Sequence, residues 1–167
     1  SNTVCQGVNG VVYVASNLNN GLSFTWSTPN GCNIVSGLNT KTITVNYDNT
    51  STSGVLSVYG TNGCGDGNNR NKAITVNPLP TITVNAPTIC TGFSTNLTAS
   101  GATSYSWSSG GVANPTSVTP ASTTTYTVTG TDANGCTGTS TKAITVNATP
   151  TVTATSSPVS GTVCSGT

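Results

Sequence analysis

Six cysteines, Cys5, Cys32, Cys64, Cys90, Cys136 and Cys164, offer this chain most of its chemistry. With no histidine and no C-x-x-C pair beside them, they fit disulfides in an oxidising compartment better than a metal or redox centre. The acids are Asp48, Asp66 and Asp132, with no glutamate. A chain without histidine has no Ser-His or Cys-His dyad, and three scattered aspartates make no convincing carboxylate pair. The expectation is therefore no catalytic residue, no enzyme and no cofactor. Asp66, in Asp66-Gly67-Asn68-Asn69, and Asp132, in Thr131-Asp132-Ala133-Asn134-Gly135, are weak calcium candidates. Each run brings a single carboxylate, fewer than tight calcium sites use, and the reading of both as turn residues is the stronger one. No metal site is expected.

Binding chemistry is equally sparse. Tyr13, Tyr47 and Tyr59 could stack on sugars, although core or edge packing suits them better. Threonine-rich stretches such as 122 to 131 could present hydroxyl ladders, but threonine also simply favours strands and solvates an exposed face without charge. The N-x-S/T triplets at Asn49, Asn96 and Asn147 are expected by chance in so Asn- and Thr-rich a chain. Charged residues make up 4% of the 167 and the net charge is +1. Such a surface lacks the clustered positive charge that nucleic acid or acidic lipid would need. No apolar run approaches the roughly 18 residues of a membrane span, so no membrane insertion is expected. Ser1-Asn2-Thr3 does not begin a signal peptide, so the expectation is that a leader has been removed or that the chain is part of something longer.

The elements that position these residues follow from an internal repeat. Lys72-Ala73-Ile74-Thr75-Val76-Asn77 returns as Lys142-Ala143-Ile144-Thr145-Val146-Asn147. Upstream of the copies stand Asn62-Gly63-Cys64 and Asn134-Gly135-Cys136, and further upstream Trp26 and Trp107. The period, roughly 70 to 85 residues, marks a tandem array. Apolar residues alternate with polar ones in Leu22-Phe24-Trp26, Ile43-Val45-Tyr47, Leu56-Val58, Ile74-Val76, Tyr105-Trp107 and Tyr126-Val128, placing each set on the inward face of a strand. Trp26 is the expected centre of the first core, with Trp107, Tyr126 and Val128 core residues of the second. Pro29-Asn30-Gly31 reads as a turn, residues 61 to 71 as a loop, and Asn134-Gly135 as a two-residue type I′ hairpin. Strands are expected over 81 to 85 and 94 to 99. Short strands and frequent turns without helical periodicity indicate an all-β fold of tandem β-sandwiches.

The boundaries read as 1–78 for the first sandwich, 79–148 for the second and 149–167 for the first strand of a third, incomplete repeat. Pro78-Leu79-Pro80 is a stiff connector, since proline fixes φ and restricts its predecessor. Thr149-Pro150-Thr151-Val152-Thr153 restates Leu79-Pro80-Thr81-Ile82-Thr83, and Thr162-Val163-Cys164 restates Thr88-Ile89-Cys90. The first module lacks the opening strand that the second has, and the terminal strand, at 150 to 163, could serve as donor strand to another copy, although the stronger expectation is that the chain is a fragment of one longer array.

Trp26-Ser27-Thr28-Pro29-Asn30-Gly31, Thr61-Asn62-Gly63-Cys64-Gly65 and residues 126 to 136, from Tyr126 to Cys136, resemble the immunoglobulin-like and PKD-like tandem repeats of Bacteroidota surface proteins, gliding-motility adhesins among them. The resemblance implies type IX secretion and a place on the cell surface. Cys32 departs from that pattern, standing where such repeats carry a small residue.

Two disulfide schemes stay open. Repeat logic equates Cys5, Cys90 and Cys164, and Cys64 with Cys136, which suggests Cys5–Cys64 and Cys90–Cys136 within modules. Immunoglobulin strand order, however, puts Cys90 and Cys136 at opposite poles, roughly 20 Å or more apart, too far for a bond. Cys136 would then reach across the junction to Cys5 or Cys32. The functional expectation is a non-catalytic, extracellular, adhesin-type repeat module of a cell-surface stalk or filament, with neighbouring repeats or copies of itself (a homopolymer) as partners. The alternative is a carbohydrate-binding accessory module of a secreted enzyme, with surface glycans as partners.

Overall fold

The structure, a computed structural model, describes residues 2–16 and 23–154. Among these there are strands and turns and no helix.

The described residues up to Asn77 form eight strands: β1 (Thr3–Cys5), β2 (Val11–Val14), β3 (Ser23–Ser27), β4 (Cys32–Ser36), β5 (Thr42–Tyr47), β6 (Gly54–Asn62), β7 (Gly65–Asp66) and β8 (Arg70–Asn77). One sheet runs β1-β8-β6-β3 with β7 hung on β6, and a second runs β2-β5-β4. The alternation read from sequence sets their inner faces. Ile43, Val45, Tyr47, Leu56, Ile74 and Val76 are buried together, as two facing sheets with a period of two require. Trp26 differs from expectation. It is half-buried at the margin of this core, its indole N–H donating to the Thr40 carbonyl at 2.8 Å, and Tyr47 and Ile43 hold the centre instead.

Eight further strands follow among the described residues: β9 (Thr83–Val84), β10 (Thr88–Cys90), β11 (Thr95–Leu97), β12 (Ala99–Ser100), β13 (Ser104–Trp107), β14 (Thr116–Val118), β15 (Thr124–Thr131) and β16 (Thr137–Asn147). They pair as β10-β16-β15-β13, β11-β14 and β12-β9. Trp107 and Val128 lie in the core with Ile82, Leu97, Val118 and Ile144, whereas Tyr126 is half-buried against it. Among the described residues, no strand before Pro78 pairs with one after Pro80.

Several local expectations need correction. Residues 61 to 71 are not one loop, because β6 runs on to Asn62 and folds back through β7 before β8 begins at Arg70. The strand expected over 81 to 85 is only Thr83–Val84, and that over 94 to 99 is split into β11 and β12. Residues 148 to 154 form no strand. The remainder of the terminal stretch, Cys164 included, and Leu22 lie outside the described residues. The β15–β16 hairpin is not a type I′ turn, which needs positive φ at two residues. Only Gly135 has it, at 80°, and the loop closes as Thr131 pairs with Thr137.

Candidate functional site: the disulfide between Cys5 and Cys136

The disulfide joins Cys5 to Cys136, 131 positions apart, with Cα atoms 5.6 Å from each other. Each partner is delivered by a short, well-specified element. β1 runs parallel to β8 with Thr3 opposite Thr75 and Cys5 opposite Asn77, so Cys5 sits beside the residue that precedes the proline connector. Cys136 sits at the base of the β15–β16 hairpin loop. There the Asp132 carboxylate accepts the backbone N–H groups of Asn134 and Cys136, both at 2.8 Å, and the Cys136 carbonyl accepts the N–H of Asp132 at 2.9 Å. Gly135 supplies the left-handed turn that a side chain would strain. Cys136 is 1% exposed, and Gly7, Val8, Leu79 and Thr137 line a cleft of about 280 Å³ around the bond.

This geometry overturns both in-module pairings. Cys64 and Cys90 are free and exposed, and Cys32 is free and buried. The immunoglobulin-order argument gave the pole of Cys136 correctly, and of its two partners the structure takes Cys5. Cys32 instead faces inward from β4, where burial pushes its thiol pKa up, the Ser51 hydroxyl opposes that shift and Asp48 adds to it.

The acidic residues are occupied locally. Hydrogen bonds from the Thr50 hydroxyl and the Thr50 N–H, each 2.7 Å, hold the Asp48 carboxyl below the usual carboxylate range. Asp66 accepts the Thr61 hydroxyl at 2.6 Å. Asp66 and Asp132 belong to separate hairpins, and among the described residues no three Cys, Asp, Glu or His side chains gather as a metal site would require. Tyr13 and Tyr47 are buried, their hydroxyls 2.6 Å apart, which removes them as sugar platforms. Burial first, and then the Tyr13 hydroxyl, drive the Tyr47 pKa far above the ordinary tyrosine value. No helix of the described residues is long and apolar enough to cross a membrane.

The fold is all-β and immunoglobulin-like. Residues 1–76 match the family model described as PKD-like domain. No curated protein matches the sequence. Similar solved structures include the titin domains Z1Z2 in complex with telethonin, 17% identical over 89% of this chain and 92% of that one, with a TM-score of 0.36. The N-terminal four Ig domains of Dscam1 isoform 9.44 are 12% identical over 88% of this chain and 44% of theirs, with a TM-score of 0.36. SGBP-B of the Bacteroides ovatus mixed-linkage glucan utilization locus, in complex with a mixed-linkage heptasaccharide, is 14% identical over 88% of this chain and 43% of its own, with a TM-score of 0.26.

Proposed function

We propose that the chain is a non-catalytic extracellular spacer, two β-sandwich modules in series (1–78 and 79–148) with the opening of a third at 149–167, in an adhesin-type stalk or filament on the cell surface. The observation that carries this reading is the Cys5–Cys136 bond. A covalent link from the first module's last strand pair to the second module's hairpin holds the Pro78-Leu79-Pro80 junction in one arrangement, which a load-bearing stalk needs and a free-standing binding domain does not. A bond of this kind also favours an oxidising, extracellular setting. Export by the type IX route and a Bacteroidota source rest on the sequence resemblance alone. Burial of Tyr13 and Tyr47 weighs against the carbohydrate-binding alternative.

Immunogold electron microscopy of the source cells with antibody raised to this chain tests the proposal. Label on thin projections standing off the surface is expected. Label confined to the cell interior, or to soluble material in the medium, would overturn it.

A further inference from the structure

Cys32 is a free thiol that takes no part in the Cys5–Cys136 bond, yet it lies at the same pole of the first set of sheets. It opens β4 opposite Tyr47, whose N–H donates to the Val8 carbonyl at 2.8 Å. The turn that follows Cys5 therefore runs along one side of Tyr47, and Cys32 along the other. A second connection passes through Ser51. Gln6 Nε2 donates to the Ser51 carbonyl at 3.0 Å, and the Ser51 hydroxyl donates to the Gly31 carbonyl at 2.6 Å while facing the Cys32 thiol. Val4, next to Cys5 in the chain, shares one buried cluster with Cys32.

In the closed fold this thiol is held back. Cys32 is 8% exposed and Ser51 1%. Two strand spacings, roughly 10 Å, separate the backbone of Cys32 from the turn after Cys5, whereas a disulfide needs Cα atoms within about 7 Å. Burial, with Asp48 adding to it, keeps the thiol protonated, and only a thiolate attacks a disulfide.

The closure itself is slight. Residues 29 to 32 and 48 to 52 form two turns that clasp each other. Besides the Ser51 hydroxyl bond, the Thr52 N–H donates to the Asn30 carbonyl at 3.1 Å and the Asp48 N–H to the Gly31 carbonyl at 3.4 Å. Gly31 packs directly on Ser51, where a Cβ would lie 2.7 Å from the Ser51 Cα. Turns joined by so few bonds open well below the cost of global unfolding. The two sulfurs of the disulfide are also unequal targets. Cys136 is 1% exposed and its N–H is fixed by Asp132, whereas Cys5 is half-buried and belongs to the first set of sheets, as Cys32 does.

We propose that Cys32 is a latent exchange thiol for this junction: when the two turns part, it attacks the Cys5 sulfur, moves the bond to Cys5–Cys32 and releases Cys136. The Cys32 thiolate forms the new S–S bond as the Cys5–Cys136 bond breaks. The electron pair of the broken bond leaves on the Cys136 sulfur, which takes up a proton in place of the one Cys32 gave to solvent. One disulfide and one thiol stand on each side of the step, so it needs neither oxidant nor reductant. A tie across Pro78-Leu79-Pro80 is thereby exchanged for a tie within the first set. The inference rests on the placement of these three cysteines and not on the reading of the chain as a surface spacer.

The test uses the full chain carrying Cys64→Ala, Cys90→Ala and Cys164→Ala, held in urea below its unfolding transition with no added thiol or oxidant. The pH is about 8.5, where exposed thiols ionise. Samples taken over time are quenched in acid, alkylated and mapped unreduced by mass spectrometry. A Cys5–Cys32 peptide should grow in step with alkylated Cys136, faster as the urea is raised, and the wild-type chain should yield the same peptide. Ser51→Ala, which removes one bond of the clasp, should speed this growth by roughly fivefold. Cys32→Ala should leave Cys136 unalkylated. A Cys32–Cys136 peptide in the greater yield, a rate unmoved by urea or by Ser51→Ala, alkylated Cys136 in Cys32→Ala, or exchange that begins only when tryptophan fluorescence reports unfolding would overturn the inference.

Discussion

Replacing both members of the internal disulfide, in Cys5→Ala/Cys136→Ala, should destabilise the two sets of sheets unequally. In the chain-entropy treatment, a loop closed across 131 positions removes about 5 kcal/mol of freedom from the fully unfolded chain. The loop is shorter when only one set unfolds. With the first set folded, Cys5 is pinned beside Asn77 and about 60 residues form the loop, worth about 4 kcal/mol. With the second set folded the loop is about 75 residues, worth about 4.5 kcal/mol. These two figures together exceed the total, so whichever set opens first carries nearly all the effect and the other only about 1 kcal/mol. The two tryptophans make this measurable, since Trp26 reports the first set and Trp107 the second. Urea unfolding of Trp26→Phe and Trp107→Phe versions, each with and without the disulfide, should show one transition falling by about 4 kcal/mol and the other by about 1. Equal shifts of about 4 kcal/mol in both, or no shift in either, would refute the reasoning.

Leu97→Ala empties a fully buried site and should cost about 2 to 5 kcal/mol in the Trp107-reported transition while sparing the one reported by Trp26. Tyr13→Phe and Tyr47→Phe each strand a buried hydroxyl and should cost about 1 to 3 kcal/mol, and a double-mutant cycle should show the pair of changes costing less than the sum. Because the Tyr47 pKa is raised on folding, its contribution is fully present below the unfolded value of about 10 and is lost as the pH climbs from there towards the folded value. Stability measured from pH 9 to 12 should therefore fall in the wild type, and less steeply in Tyr47→Phe.

The inward alternation of Ile43, Val45 and Tyr47, and of Leu56 and Val58, was legible because a strand's period of two converts directly into one buried face. The repeated K-A-I-T-V-N hexapeptide fixed equivalent last strands in the same way. Hairpin details were less legible. Asn134-Gly135 has the letters of a two-residue turn, but the Asp132 carboxylate bonds two backbone N–H groups and stabilises a wider loop. The half-buried position of Trp26 was hidden as well, because burial depends on what packs over a residue in the fold and not on its own alternation.

By itself the sequence determined the all-β class, the inward faces and the equivalence of Cys5 with Cys90 and of Cys64 with Cys136, since these depend only on local periodicity and internal repetition. Which cysteines bond was decided by the tertiary structure. A disulfide requires Cα atoms within about 7 Å, and only the parallel seating of β1 on β8, together with the hairpin loop that presents Cys136, brings two thiols so far apart in the chain to that distance.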